Sequence, residues 1–331
     1  MWQPVELGVQ LTGGSYRLAL APNVGTLAVA AAPAQRTFSS MGTWCHVITH
    51  GGAADAADQV RADIDRLDRV WTRFDPSSEL CALNAAAGRW FDVSPDTLRL
   101  AQHALLGWRR TAGAFDPFLA DRMAQVGYDR DFAALRPVAA PAALKAPPGR
   151  SRGCRAPMAV DPRRRRVRVD RGAALDSGGI GKGLAADVAA SAALRRGVRS
   201  VLVNVGGDLR CAGDTPEGGW QVSLDDAWEP GSASGWSIRL QTGAVATSST
   251  LRRRWLYADG TQGHHLLDPR TGLPLAARYA AVSVIARQGW LAEVLTKVVF
   301  LWPPTRVAHM LRRHQAAAIV TAADGTRRRL G

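Results

Sequence analysis

The sequence predicts an α+β chain, and three stretches carry that prediction. Residues 53–74 set Val60, Ile64, Leu67, Val70 and Trp71 three or four positions apart, the spacing of an amphipathic helix packed on a sheet. Residues 220–224 and 236–240 alternate polar and apolar side chains, as antiparallel strands do. The β-favouring run Val167-Arg168-Val169-Asp170 leads into Ser177-Gly178-Gly179-Ile180-Gly181-Lys182-Gly183. An Ala-rich helical run from Leu184 to about Arg196 and the apolar run Ser200–Val205 follow, so the local order is strand, glycine turn, helix, strand.

That glycine turn is a phosphate-binding candidate. Four glycines in six residues let the backbone approach a ligand closely, and a helix starting there offers N–H groups and a positive dipole end to an anion. Lys182 adds a cation, in a chain with only three lysines (Lys145, Lys182, Lys297) against 39 arginines, 42 minus 3. The common nucleotide motifs do not fit: Gly183 follows Lys182 in place of Ser or Thr, Asp176 stands five residues before Gly181, and there is no GxGxxG. A tight turn with a solvent-exposed lysine accounts for the same residues.

With 331 residues, 47% hydrophobic and 21% charged, the chain has the make-up of a globular protein of one large or two closely joined domains. No apolar run reaches the roughly 18 residues that would suggest a membrane span. The net charge of +14 suits anionic ligands. The basic runs 163–166, 252–254 and 327–329 are scattered and lack interleaved aromatics, which argues against nucleic acid as a partner. Cys45, Cys81, Cys154 and Cys211 form no CxxC and read as free thiols. The first 35 residues lack a basic start, Pro22, Asn23 and Pro33 interrupt their mildly apolar part, and no lipoprotein-type Cys follows; a cytoplasmic location is the default expectation.

Along the chain, residues 1–36 read as a leader or an extra edge strand, and 35–47 as a strand containing a Met41-Gly42-Thr43 turn. Asp75 to Leu80 signals a helix start, with a short helix from Leu80 to near Asn84. Trp90–Val93 is a short strand, and Ser94-Pro95 caps a helix running to about Thr111. Gly113 to Phe118 is an acidic turn in which Asp116 is equally suited to capping the next helix. Residues 133–166, rich in Pro, Ala and Arg, look like a peripheral insertion around short strands. Residues 243–249 form a strand entering a hydroxyl-rich turn.

In His264-His265-Leu266-Leu267-Asp268-Pro269-Arg270-Thr271-Gly272 the two histidines point to opposite faces of a strand, so at most one faces a ligand. Asp268 can bond turn N–H groups and Gly272 supplies a positive φ. Residues 280–286 make an apolar strand, and 290–302 a helix apolar on nearly every side, hence buried. Glu293, Thr296 and Lys297 sit on it; Glu293 and Lys297, four apart, need a partner or a ligand there.

An ordered series of motifs from Met41 to about Phe300 resembles the ApbE family, the FAD:protein FMN transferases: Met-Gly-Thr, Phe-Asp-Pro-x-Ser-Glu-Leu, Gly-Ala-Phe-Asp-Pro, Gly-Gly-Ile-Gly-Lys-Gly, Asn-x-Gly-Gly-Asp, Ala-Thr-Ser, His-His-x-x-Asp-Pro-Arg-Thr-Gly-x-Pro and the Glu-bearing helix. The resemblance implies mixed and antiparallel sheets with helices, related to the T-fold, in two intimately joined lobes around an FAD cleft. Residues 37–331 would be that domain, with 133–166 a variable insertion. It further implies that FMN passes from FAD to a Thr or Ser hydroxyl of an acceptor flavoprotein in a Mg2+-dependent reaction that leaves AMP.

Carried over by motif, Met41, Phe74, Ala114, Phe115, Asp116, Asp176, Lys182, His265 and Leu266 would contact FAD, with Gly206, Gly207, Asp208, Thr247 and Ser248 completing the cofactor set. The Gly179 carbonyl, Glu293 and Thr296 would hold the metal ion, and His265 or Asp268 would take the acceptor's proton. Two departures stand out. Glu293 replaces the usual Asp but remains a hard oxygen ligand. Lys297 replaces the usual Thr; an ammonium cannot be a ligand and repels a metal ion while pairing with Glu293. Either Lys297 takes over part of the cation's role at the pyrophosphate, or the chain binds FAD and transfers nothing. Gly181 for Ala and Ser249 for Gly are lesser departures. A pyrophosphatase, with water in place of the acceptor hydroxyl, is the third reading the residues leave open.

Overall fold

The structure, a computed structural model, describes residues 33–135, 155–216, 218–224 and 237–331. Residues 1–32 of the expected leader, 136–154 of the expected insertion (Cys154 included) and Trp236 lie outside the described residues.

The chain opens with strands β1 (Ala34–Ser40) and β2 (Thr43–His50), then helices α1 (Ala56–Trp71) and α2 (Glu79–Ala85). Strand β3 (Phe91–Asp92), helices α3 (Pro95–Arg110) and α4 (Ala120–Gln125), and strands β4 (Met158–Asp161) and β5 (Arg166–Val169) follow. Helix α5 (Gly181–Arg195) leads to β6 (Ser200–Val205), β7 (Asp208–Gly213), β8 (Trp220–Ser223), β9 (Ser237–Leu240) and β10 (Gly243–Ser249). After β11 (Arg254–Leu256), β12 (Gln262–His264) and β13 (Ala281–Ala286) come α6 (Gly289–Leu301) and α7 (Pro304–Arg313). Strands β14 (Ala317–Thr321) and β15 (Arg327–Leu330) end the described chain.

Eight strands form the main sheet in the order β1-β2-β6-β7-β10-β13-β14-β15, each paired antiparallel to its neighbour. Its central strands are apolar at successive positions because both faces are covered. Val201, Val203 and Val205 pack against Val60 and Ile64 of α1 and Ala186, Ala189 and Ala193 of α5. Leu202, between them, packs on the other face with Trp220, Val222, Ile238 and Leu240 of the β8–β9 hairpin. Helix α6 lies on the helical side, where Val294, Leu295 and Val298 join Val282 and Val284 of β13 and Leu100 and Ala104 of α3.

The expected order of strand, glycine turn, helix and strand is present as β5, the turn, α5 and β6, with β5 in the sheet β3-β5-β4 and β6 in the main sheet. One local bound changes. Helix α5 begins at Gly181, not Leu184, because the Ser177 carbonyl accepts from the N–H of Gly181 at 2.6 Å; Lys182 and Gly183 therefore stand in its first turn. The Met41-Gly42 turn closes β1 on β2 with φ of 52° and 63°, the left-handed pair of a type I′ hairpin. Cys45, Cys81 and Cys211 are free thiols. Among the described residues no helix is long and apolar enough to cross a membrane.

Candidate active site

A cavity of about 850 Å³ opens where the β1–β2 turn, the glycine turn, the β6–β7 turn, the end of β10 and the segment after β12 meet, a size within the usual range of ligand sites. Of the predicted residues, Met41, Phe74, Ala114, Phe115, Asp116, Asp176, Gly179, Lys182, Gly206, Gly207, Thr247, Ser248, His265, Leu266 and Lys297 line it. Asp208, Asp268, Glu293 and Thr296 are not among its lining residues.

The glycine turn is held from outside. The Asn84 side chain brackets Leu175, accepting from its N–H at 2.8 Å and donating to its carbonyl at 2.9 Å, and the Ser177 hydroxyl donates to the Trp71 carbonyl at 2.8 Å. Asp176 accepts from the Gly178 N–H at 2.8 Å. Asp116 accepts from the Phe118 N–H at 2.9 Å, whereas α4 has Leu119 at its cap position with no side-chain cap, so Asp116 shapes the turn and does not cap that helix.

Helices α5 and α6 exchange carboxylates. Asp187 of α5 accepts from the N–H groups of Gly289 and Trp290 at 2.9 Å each, capping α6, while Glu293 of α6 accepts from the Gly183 N–H at 2.8 Å in the first turn of α5. The positive end of α5, expected to be open to a ligand anion, is thus partly taken by the protein's own Glu293. Lys182, expected as a cation for a ligand, is also held by protein groups: Nζ donates to Glu293 Oε1 at 2.9 Å and bonds Asp208 Oδ2. Burial works against the Lys182 charge, but the Asp208 and Glu293 carboxylates outweigh it and hold the ammonium above the usual lysine range. Burial likewise works against the Glu293 charge, and Lys182, Lys297 and the Gly183 N–H prevail to hold its carboxyl below the usual range.

The two histidines divide as their spacing predicts. His264 turns to the backbone, Nδ1 accepting from the Leu266 N–H at 3.2 Å and Nε2 lying 3.2 Å from the Leu275 carbonyl. His265 faces the cavity, with a buried Nδ1 that has no hydrogen-bond partner. Burial, then the positive charges of Arg253 and Lys297, pushes its pKa well below the usual range, so the ring is neutral at pH 7. Asp268 is fully engaged in its turn: Arg270 bonds both carboxylate oxygens, through Nε at 3.0 Å to Oδ1 and through Nη2 at 2.6 Å to Oδ2.

Sequence reasoning missed several residues of this wall. Arg73 stacks 4.2 Å from the Phe74 ring centre and 4.7 Å from that of Tyr128, with Nε 3.7 Å from Asp176 Oδ1. Arg253, read only as part of a scattered basic run, donates to the Tyr128 hydroxyl at 3.0 Å. Asp68 accepts from the Met41 N–H at 2.7 Å and pins the hairpin turn. Each is a surface-type residue in its own element and gains its role through a partner at least 27 positions away or through a ring stack across α2 and α3, which no local pattern signals.

The sequence pattern of the ApbE family matches residues 41–320. The chain belongs to the ApbE family. It is 31% identical over 297 residues to a protein named FAD:protein FMN transferase from Rhodobacter capsulatus, covering 86% of this chain and 54% of that one. A Treponema pallidum protein of the same name is 28% identical over 289 residues, covering 82% and 79%. The chain therefore spans about half the length of the Rhodobacter relative. Its fold matches the crystal structure of the Thermotoga maritima ApbE protein with a TM-score of 0.78 at 25% identity, over 90% of this chain and 97% of that one. It also matches the Pseudomonas stutzeri flavinyl transferase ApbE with a TM-score of 0.70 at 21% identity, over 92% and 97%.

For an ApbE chain, the residues expected to hold a metal ion fit one poorly. Glu293 is committed to Lys182 and the Gly183 N–H. The Thr296 hydroxyl, fully buried, donates to the Glu293 carbonyl at 2.7 Å and shares a 2.7 Å bond with Ser248 Oγ. Lys297 holds the space beside Gly179: its Cε is 3.6 Å from where a Cβ on that glycine would lie, and its Nζ donates to the Glu293 carbonyl at 3.0 Å. A divalent ion there would face two ammonium groups across two carboxylates that they already neutralise. Among the described residues no cluster of three or more His, Cys, Asp or Glu could hold a metal ion.

Proposed function

We propose that this chain transfers FMN from FAD to the hydroxyl of a Thr or Ser on an acceptor flavoprotein, with AMP as the leaving group. The observation that carries this reading is that one cavity gathers the separated motif residues, from Met41 to Leu266, and adds a neutral histidine and two lysines to the same wall. The names of the similar Rhodobacter and Treponema proteins support it.

Phosphoryl-type transfer asks the protein mainly to position an in-line nucleophile and to meet the charge on phosphate oxygens. Asp208 positions two groups for this, bonding Lys182 and accepting from the Thr247 N–H at 3.2 Å. The β6–β7 turn is set by Asn204, whose side chain accepts from the Gly207 N–H at 2.8 Å and keeps Gly206 and Gly207 at the cavity edge. His265 suits the role of base better than Asp268: its ring is neutral and lines the cavity. Asp268 is less suited, because Arg270 occupies both of its oxygens and it does not line the cavity.

The test is incubation with FAD, Mg2+ and an acceptor protein from the same genome that carries a flavinylation Thr or Ser, read as an FMN mass adduct with one AMP released. His265→Gln is expected to slow adduct formation by roughly a hundredfold to ten-thousandfold. FMN and AMP released with no adduct would replace this reading with the pyrophosphatase, and FAD bound unchanged would replace it with the binding protein.

A further inference from the structure

We propose that the Lys297 ammonium is itself the cation this site sets against the pyrophosphate, so that transfer runs without a divalent metal ion. The inference rests on the transferase reading above and deepens it.

Four ionisable groups converge here, Lys182 and Lys297 at the cavity wall and Asp208 and Glu293 behind it. Lys182 bridges Asp208 and Glu293, and Lys297 Nζ lies 3.8 Å from Glu293 Oε1, so two ammoniums balance two carboxylates. Lys182 gives two of its three donors to carboxylates, and its side chain, 21% exposed, lines the cavity. Lys297 gives one, to the Glu293 backbone carbonyl, and its side chain, 19% exposed, lines the same cavity beside Gly179. Lys297 is therefore the ammonium with more donors left for a ligand. Helix α6 fixes it there. The other polar side chains of that helix within a turn, Glu293 and Thr296, are buried and turned to protein partners, which leaves Lys297 as the one that reaches the cavity.

In the reaction the acceptor oxygen forms a P–O bond to the flavin-side phosphorus. The bridging P–O bond breaks with its electron pair going to the AMP phosphate, and the hydroxyl proton passes to His265. Lys297 gives up no proton in this step and donates to the phosphate oxygens on which charge collects; burial lowers its pKa from the usual lysine range, with Glu293 acting the other way.

Wild type, Lys297→Thr and Lys297→Met are compared in the FMN-adduct assay with Mg2+ and with EDTA. Wild type is expected to work equally in both. Lys297→Thr is expected to lose about a hundredfold or more in EDTA and to recover with Mg2+, because a hydroxyl beside Glu293 opens the space to an ion. Lys297→Met is expected to fail in both. Wild-type adduct only with Mg2+ overturns the proposal. A second readout needs no transfer: Mn2+ is titrated into FAD-loaded protein and bound ion is read by electron paramagnetic resonance. A Mn2+ site in Lys297→Thr and none in wild type at the same concentrations supports the proposal, and a wild-type site as tight as the variant's overturns it. If FAD binds but no adduct ever forms, the transferase reading fails, and the Mn2+ titration still decides whether the ammonium has displaced the ion.

Discussion

Lys182 Nζ and Glu293 Oε1 lie 2.9 Å apart, joining the first turn of α5 to the buried helix α6 across 111 positions of sequence. The bond matters because Glu293 is 1% exposed and Asp208, on the other side of the same ammonium, 2%. Removing the ammonium leaves two buried carboxyl groups without their cation, and burial already pushes that of Asp208 up against the pull of Lys182.

Lys182→Met is accordingly expected to cost about 3–5 kcal/mol of stability, the range for breaking a buried pair from one side. Chemical denaturation of variant and wild type measures it. An unchanged midpoint would show that the carboxylates do not depend on Lys182.

The close approach of α5 and α6 makes a second expectation. A Cβ on Gly183 would lie 2.4 Å from the Gly289 carbonyl oxygen, a backbone atom that cannot swing away. Gly183→Ala should therefore push the helices apart and loosen the exchange of carboxylates through Asp187 and Glu293, at a cost of about 1–3 kcal/mol. A thermal melt of the variant checks this; a Tm equal to that of wild type would contradict the contact.

His265 sets the pH behaviour of both rate and stability. Its folded pKa is depressed, first by burial and then by Arg253 and Lys297, relative to about 6.5 in the unfolded chain. The adduct rate should therefore show no acid-side fall from this ring between pH 8 and 6. The stability tied to the neutral ring is fully present above about 6.5 and is lost as pH falls through and below that value, because there the unfolded state binds the extra proton. In His265→Gln that part of the acid-side loss should vanish. Urea denaturation of both proteins from pH 5 to 8 measures it, and parallel stability curves would count against the assignment.

Glu79, in the Phe-Asp-Pro-x-Ser-Glu-Leu motif, works for the architecture. Its carboxylate accepts from the Ser94 N–H at 2.6 Å, from the Ser94 hydroxyl at 2.5 Å and from the hydroxyl of fully buried Thr97, tying α2 to the start of α3. Glu79→Ala should cost about 1–3 kcal/mol through the donors left unmet. FAD affinity, read by flavin fluorescence, should stay near wild type; a large loss would give Glu79 a direct part in binding.

Much of the fold was legible in the chain, for a local reason. The periodicity of Val60, Ile64 and Leu67, the Ser94-Pro95 cap and the apolar run of α6 each depend on neighbours within a few residues. The order strand, glycine turn, helix, strand is also legible along the chain, whereas the sheet each strand joins depends on pairing, β5 with β4 and β6 with β2, the latter far off in sequence. The α7, β14 and β15 segment bore no motif, and its place at the edge of the main sheet comes from pairing with β13.

By itself, then, the sequence determined most of the helices and strands, the family resemblance and the set of residues worth suspecting, because motif spacing and hydrophobic period are properties of neighbours along the chain. Only the tertiary structure decided what those residues do to one another. It paired Lys182 with Asp208 and Glu293, closed Asp268 with Arg270, turned His265 inward and His264 away, and set Lys297 beside Gly179 at the cavity wall. Charge, burial and hydrogen bonding act through distance in space, and the distances that matter here join residues up to 111 positions apart along the chain.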